Sequence, residues 1–407
     1  MKRVSSIRFT SPDITAGLGL LAGLSGTWKG QGFNLIARPD FVDKTDLYLQ
    51  LNHTRETLKF TPIGSPIPNR GFGQDDIELF GLTYLQQIAD AGHDGALHIE
   101  PGIWITQPNT AFPPDGVPNP PDQLVARMGT IPHGNSILAQ GVASPFEGVP
   151  ILAASPVVYN FSEFPSFNST PFGVPPTAPG FVFNAAGSSE KLTAPQAPGS
   201  PPPFPQYDLS IPAAPVPLPP ALQKVFNLNT RTPFETSPLE LPFDDTPDNQ
   251  ALVNDPIVLL QREITKFVDL GYSFSGFTLN VATQSTLTFL TNPNSAPTGP
   301  TTSVTLPQFT GGIENIRFLN GAPVPVGGAE QTAENAQTAI VYATFWVETV
   351  TNAKTGHEFV QLQYAQMVVL NFPIFHLLNP TVTPPPAAFV NLGWPHITVG
   401  TLRKTFG

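Results

Sequence analysis

The chain has 407 residues, 49 of them proline and 34 glycine, a net charge of -11 and no cysteine. Without cysteine there are no disulfides, thiolate metal sites, thiol nucleophile or thioether-linked cofactor. The acidic balance, with no Lys/Arg cluster, has the wrong sign for a nucleic-acid backbone or an anionic membrane surface. Hydrophobic residues make up 40% of the chain, 30 of them phenylalanine, which is too apolar for a disordered protein.

In chain order, Lys2 and Arg3 precede an apolar stretch, Ile14–Leu24, that loosely imitates an export signal. Ser11, Pro12 and Asp13 interrupt the imitation, so the expectation is a short helix packed on the fold and a cytoplasmic rather than an exported protein. No window approaches the ~20 apolar residues of a membrane-spanning helix. Gly26-Thr27-Trp28-Lys29-Gly30-Gln31-Gly32 then reads as a strand start. The large Trp28 side chain plugs a barrel end there, and the glycines permit close backbone approach.

Strand-like windows follow at Asp46–Phe60, Ile77–Gln87, Ala96–Thr106 and Asn135–Ala143, rich in β-branched and aromatic residues with partial alternation. Arg127 and Met128 fall on a further strand ahead of a Pro/Gly turn that carries His133. From about 145 to 253 proline concentrates, in Pro201–Pro205 and Pro215–Pro220. Such runs favour extended polyproline conformations, and with many Phe, Val and Leu among them they predict an ordered insertion wrapping the barrel rather than a free linker.

After it, Asp255–Leu270 predicts a helix, with Asp as N-cap, Pro at the first helical position and helical apolar spacing. Strand windows return at Ser285–Leu290, Ala339–Thr349, Glu358–Phe372 and His396–Lys404. Tyr364 and Met367 fall on opposite faces of their strand, so only one can point inward. Closely spaced short strands without a fixed repeat predict an all-β fold, an antiparallel up-and-down barrel with one or two short helices. The whole chain, 1–407, is expected to be one elaborated domain, with barrel halves at 15–144 and 254–407.

Gly26–Gly32, the strand carrying Glu56, and Ala96-Leu97-His98-Ile99-Glu100-Pro101-Gly102-Ile103-Trp104 resemble the nitrobindin-like heme-binding family of calycin-type barrels. That family opens with Gly-x-Trp-x-Gly-x-Gly and later carries Met-His-x-Glu-x-Gly-aromatic; Leu97 replaces the Met here. Pro395-His396-Ile397-Thr398-Val399-Gly400 resembles its last strand. The resemblance covers Leu18–Ala143 and Ala339–Lys404, omits the Pro-rich zone, and is interrupted by a departure at Pro380–Pro386. It implies non-covalent heme b with His396 as the iron ligand, a pocket lined by His98, Trp28, Met128 and Thr398, and His98 as the catalytic group over a bound diatomic or peroxide.

The residues themselves are compatible with His396 as a ligand. His396, Thr398, Gly400 and Leu402 share a strand face, and the small ones would leave room for a flat macrocycle. The implied activity is binding of nitric oxide, peroxynitrite or peroxide, with peroxynitrite isomerisation or weak peroxidation; no residue suggests itself as an anionic partner behind His396. The alternative from another class is a cofactor-free calycin-like carrier of an apolar molecule, or an enzyme acting on one. The latter would need a defined polar cluster, which the sequence does not reveal. Asp75, Asp76 and Glu78, like Asp244, Asp245 and Asp248, read as solvated loops. Oligomeric state is not encoded in any pattern found.

Overall fold

A computed structural model describes residues 11–40, 45–70, 72, 76–92, 94–106, 123–131, 135–150, 152, 234–236, 256–283, 286–290, 301–305, 312–315, 324–326, 329–331, 337–375 and 389–405. Lys2, Arg3, Asp75, His93, His133, His376, Pro380–Pro386, the second acidic run and nearly all of the Pro-rich zone lie outside them. Two helices are described, α1 (Ser11–Leu18), continued by a 3-10 turn over Gly19–Leu24, and α2 (Ile257–Asp269).

The strands are β1 (Gly26–Asp40), β2 (Thr45–Pro62), β3 (Ile67–Asn69), β4 (Ile77–Leu79), β5 (Gly81–Asp90), β6 (Ala96–Thr106), β7 (Gln123–Ile131), β8 (Asn135–Glu147) and β9 (Phe234–Thr236). They continue as β10 (Ser273–Ala282), β11 (Thr286–Leu290), β12 (Thr301–Thr305), β13 (Gly312–Asn315), β14 (Val324–Val326), β15 (Ala329–Gln331), β16 (Gln337–Asn352), β17 (His357–Phe375) and β18 (Phe389–Thr405).

The main sheet has twelve strands; less the short β9 and β13 it is a circuit of ten, β1-β2-β5-β6-β7-β8-β10-β16-β17-β18. The circuit closes because β1 pairs antiparallel with β2 on one side and with β18 on the other. Closure removes the open sheet edges that would recruit another chain. The expected antiparallel barrel is therefore the observed fold.

Alternation explains the wall. On β5, Leu82, Tyr84, Gln86 and Ile88 are buried while Thr83, Leu85 and Gln87 are exposed. On β16 and β17 the stretches 341–348 and 361–367 are instead buried on both faces. On the outer side of β17 and β18, α2 docks through Arg403, whose Nη2 donates to Glu263 at 2.8 Å, and Gln363, whose Nε2 donates to the Leu260 carbonyl at 3.3 Å. The helix begins one residue later than its sequence suggests, with Pro256 at the N-cap position and no side-chain cap.

One end is a closed floor. Leu18, Leu21 and Leu24 pack against Trp28, Leu58, Trp104, Leu279 and Leu402 in a single apolar cluster. The Trp28 indole N–H donates to the Leu24 carbonyl at 2.7 Å, which fixes the helical plug to β1. At the other end two short strands take over edges that the circuit leaves free. β9 pairs parallel with β2 at Leu49–Leu51, beyond the Thr54–Pro62 stretch held by β5. β13 pairs with β8 at Asn135–Leu138, beyond the Gln140–Glu147 stretch held by β10.

Candidate functional site

Above the apolar floor the inward positions turn polar. Glu56 (β2), Tyr84 and Gln86 (β5), Glu100 (β6), Arg127 (β7) and Tyr364 and Gln366 (β17) are all buried, and they form two connected clusters. In the first, the Tyr364 hydroxyl donates to Glu56 Oε2 at 2.6 Å and Gln86 Nε2 donates to Glu56 Oε1 at 2.8 Å. In the second, Arg127 Nη2 donates to Glu100 Oε1 at 2.7 Å, Nη1 to Gln366 Oε1 at 2.6 Å and Nε to the Tyr84 hydroxyl at 3.1 Å. Tyr84 also donates to Glu100 Oε1, and the His98 ring lies 3.4 Å from Glu100 Oε2.

Three glycines make room for these side chains. A Cβ at Gly102 would strike the Tyr84 ring, one at Gly129 the Glu100 carboxylate and Tyr84 hydroxyl, and one at Gly400 the Tyr364 ring. Gly400→Ala is therefore expected to cost roughly 1–3 kcal/mol, as overpacked cores do, read as a lowered urea midpoint with unchanged slope. An unchanged midpoint would mean that Tyr364 has space to retreat.

The two carboxylates share a layer but not an ionisation state. Burial pushes Glu56 up from 4.5 to about 7, against the Tyr364 and Gln86 hydrogen bonds and the more distant His98 and Arg127. Burial works the same way on Glu100, but Arg127 and the hydrogen bonds from His98 and Tyr84 overcome it and hold Glu100 down at about 2. Glu100–Arg127 is thus a buried ion pair with its remaining lone pairs and protons largely satisfied, while Glu56 has hydrogen bonds but no cation of its own.

Register locates the histidines. From Leu402, cross-strand partners lead through Gly30, Glu56 and Ile88 to His98. The other way they lead through Leu362, Val347, Phe277 and Pro145, and the next two registers return the row to β6 about 12 residues nearer the floor. Around ten tilted strands, that stagger amounts to a climb of about five residues over four strands. His98 therefore stands level with the His396–Thr398 stretch of β18, four strands away around the circuit and so on a nearly opposite wall.

Toward the mouth from the network, the inward positions mix Asn34, Asn52, Thr54, His98, Asn135 and Thr398 with Ile88, Ile137, Val341 and Val368. His98 and His396 are both half-buried. The cross-strand neighbours of His396 are Val368 and Ile36, which supply no carboxylate.

Several expected lining positions need correction. Trp28 belongs to the sealed floor, fully buried and hydrogen-bonded to Leu24, so it cannot line a chamber above the polar layer. Met128 follows Arg127 on β7, and strand alternation turns it to the outer face beside Ile103 and Leu138. Tyr364 points inward and Met367 outward, as their opposite parity requires. The space over Gly400 is filled by the Tyr364 ring, and the Thr398 hydroxyl accepts a hydrogen bond from Asn34 Nδ2 at 2.7 Å. Any ligand inside the barrel would therefore have to lie toward the mouth from Gly400. Sequence reading missed Tyr84, Gln86, Arg127, Tyr364 and Gln366 as a polar cluster, although each shares strand parity with apolar core residues.

Among the described residues no group of three or more His, Cys, Asp or Glu is placed to hold a metal ion by itself. Likewise, no described helix is long and apolar enough to cross a membrane.

In class, the molecule is a closed ten-stranded antiparallel barrel with a sealed apolar floor, a buried charged layer and two half-buried histidines at similar height on different strands above it. No protein-family model and no curated protein matches the chain. Among solved structures it is similar to Rv2717c from M. tuberculosis at 10% identity and a TM-score of 0.30, over 96% of this chain and 98% of that one.

Proposed function

We propose that the barrel binds heme b, with His396 as the axial ligand, and presents the iron to nitric oxide, peroxynitrite or a peroxide. The observation that supports this most is the pair of half-buried imidazoles, level on nearly opposite walls, above a polar layer that is already internally paired. The donor set fits the group: a neutral imidazole nitrogen is a normal axial donor, and no thiolate competes for the iron. The mixed lining suits an amphiphilic macrocycle, whereas a uniformly apolar cargo would leave the buried, unpartnered Asn135 Oδ1 facing hydrocarbon.

The bound iron would supply an open coordination position for a small ligand. His396 would hold that group from β18. Glu100 lies 3.4 Å from the His98 ring and orients it, and that ring would offer a hydrogen bond to a small ligand. The Glu100–Arg127 pair below adds no net charge.

Titrating heme into the purified chain is expected to produce an intense Soret band that saturates near one equivalent. His396→Ala should weaken binding by at least about tenfold, as loss of a metal ligand does. His98→Ala should leave the band in place and accelerate release of nitric oxide. No band on reconstitution, or an unchanged band in His396→Ala, would overturn the proposal.

A second reading, a cofactor-free enzyme, gains support from the polar cluster itself. Its Glu56 sits at about 7, in the range useful for proton transfer near neutrality. Glu56 and Tyr364 are fully buried, however, and His98 is the half-buried member of the polar group. A binding band for heme that depends on His396 decides against it.

A further inference from the structure

We propose that Tyr364, with Glu56 as its built-in proton acceptor, is a one-electron donor to an oxidant bound in the chamber. This rests on the heme reading for the identity of the natural oxidant, a hydroperoxide reduced at the iron.

The geometry is specific. The phenol is 1% exposed, so no substrate or solvent reaches it, and its hydroxyl donates to Glu56 Oε2 at 2.6 Å. A buried phenol can lose an electron at accessible potential only if its proton leaves at the same time, because an unpaired charge in a dry interior is too costly. Glu56 accepts that proton along an existing hydrogen bond. The other carboxylate of the layer is committed to Arg127, which is why Tyr84, although also bonded to a carboxylate, lacks a comparable acceptor. Glu56 is held by Gln86 and Tyr364 without a cation, and burial leaves it basic, at about 7.

The ring has electronic company as well. Tyr364 stacks on Phe345 at 5.5 Å with an interplanar angle of 24°, and Phe345 meets Trp104 edge-on at 5.4 Å. Arg127 lies over Tyr84, Trp104 and Phe345 and stabilises electron-rich rings rather than oxidised ones, which disfavours Trp104 as the resting place of the hole. Tyr364 is outside that set.

The step balances as follows. The Tyr364 O–H bond breaks, its proton forms an O–H bond on Glu56, and one electron leaves for the oxidant, so a neutral phenoxyl radical stays beside a neutral carboxylic acid. A hydroperoxide takes up two electrons and two protons to give an alcohol and water. Tyr364 supplies one of those electrons and solvent the protons; a bound heme would supply the other electron.

Two experiments with the full chain test this. In the heme-loaded protein mixed with hydrogen peroxide, freeze-quench paramagnetic resonance should show a tyrosyl radical. Tyr364→Phe, which keeps the stacked ring, should abolish it and Tyr84→Phe should not. Glu56→Gln should lower its yield by about tenfold or more, consistent with loss of an acid–base partner. In the wild type the yield should rise as pH passes upward through about 7, where Glu56 becomes able to accept the proton.

The second experiment needs no heme. Because the chain lacks cysteine, Gln87→Cys on the exposed face of β5 carries a single ruthenium photo-oxidant, and flash oxidation should generate the same radical with the same dependence on Tyr364 and Glu56. A missing Soret band sinks the heme reading while the flash experiment still decides the tyrosine. A radical that persists in Tyr364→Phe, or that ignores Glu56→Gln, sinks the donor assignment even if heme binds.

Discussion

Arg127→Met will destabilise the barrel by about 3–5 kcal/mol, the cost of breaking a buried pair from one side. Methionine fills most of the volume, so the loss is electrostatic. Glu100, fully buried, would keep the Tyr84 hydroxyl and His98 but lose the guanidinium 2.7 Å away that holds its carboxyl at about 2. The double variant Arg127→Met/Glu100→Gln should recover much of the loss, since a neutral amide beside methionine leaves no orphan charge. The single-variant penalty should also shrink in mild acid, where Glu100 can protonate. Urea unfolding at two pH values and a double-mutant cycle measure all three. A single-variant cost below about 1 kcal/mol, or strictly additive losses, would mean that the pair is solvated and not buried.

Stability will fall as pH rises from mild acid to above neutrality, opposite to the trend set by salt-bridged carboxylates. Glu56 has a folded-state pKa of about 7 against 4.5 unfolded, so the fold binds its proton more tightly than the open chain does. That stability is fully present below 4.5 and is lost as pH climbs through 7, amounting to about 3 kcal/mol from this residue. Glu348, buried on the outer face and pushed up to about 8 by burial, adds in the same direction over a window extending further. Glu100 acts oppositely, and its contribution disappears only as pH falls from 4.5 through about 2. The stability maximum should therefore sit in mild acid. Glu56→Gln should remove its share of the slope whatever it does to the absolute stability. A wild-type urea midpoint that stays flat from pH 5 to 8 would refute the assignment of Glu56 as a cation-free buried carboxyl.

Much of the wall could be read from residue order because apolar alternation writes itself into strands such as β5. The strand β10 escaped because its residues from Phe277 to Ala282 are buried on both faces, so its pattern shows no alternation. The window expected at Ile77–Gln87 breaks at Phe80, whose amide turns to the Thr106 hydroxyl instead of continuing the ladder. The polar layer was hidden for a different reason. Tyr364 and Glu56 are 308 residues apart, and Gln366 and Arg127 are 239 apart, so no local spacing announces them. Parity was the available signal. Glu100 shares a face with Trp104, Arg127 with Val125 and Glu56 with Leu58, and a charge on an apolar face marks either a site or a paired core group. The same test placed alongside Met128 would have turned it outward.

The seam between β1 and β18 sets an order of events during synthesis. Thr405 bonds to the Thr27 carbonyl across 378 residues, so the barrel cannot close until its last strand has left the ribosome. Contacts of such long range form late and slowly, and until then the inward faces of nine strands have no tenth partner. His396 lies on that final strand. Under the proposed heme binding, uptake of the chromophore through it would be a clock for completed folding, and nascent or truncated chains should remain colourless however much sheet they have already built.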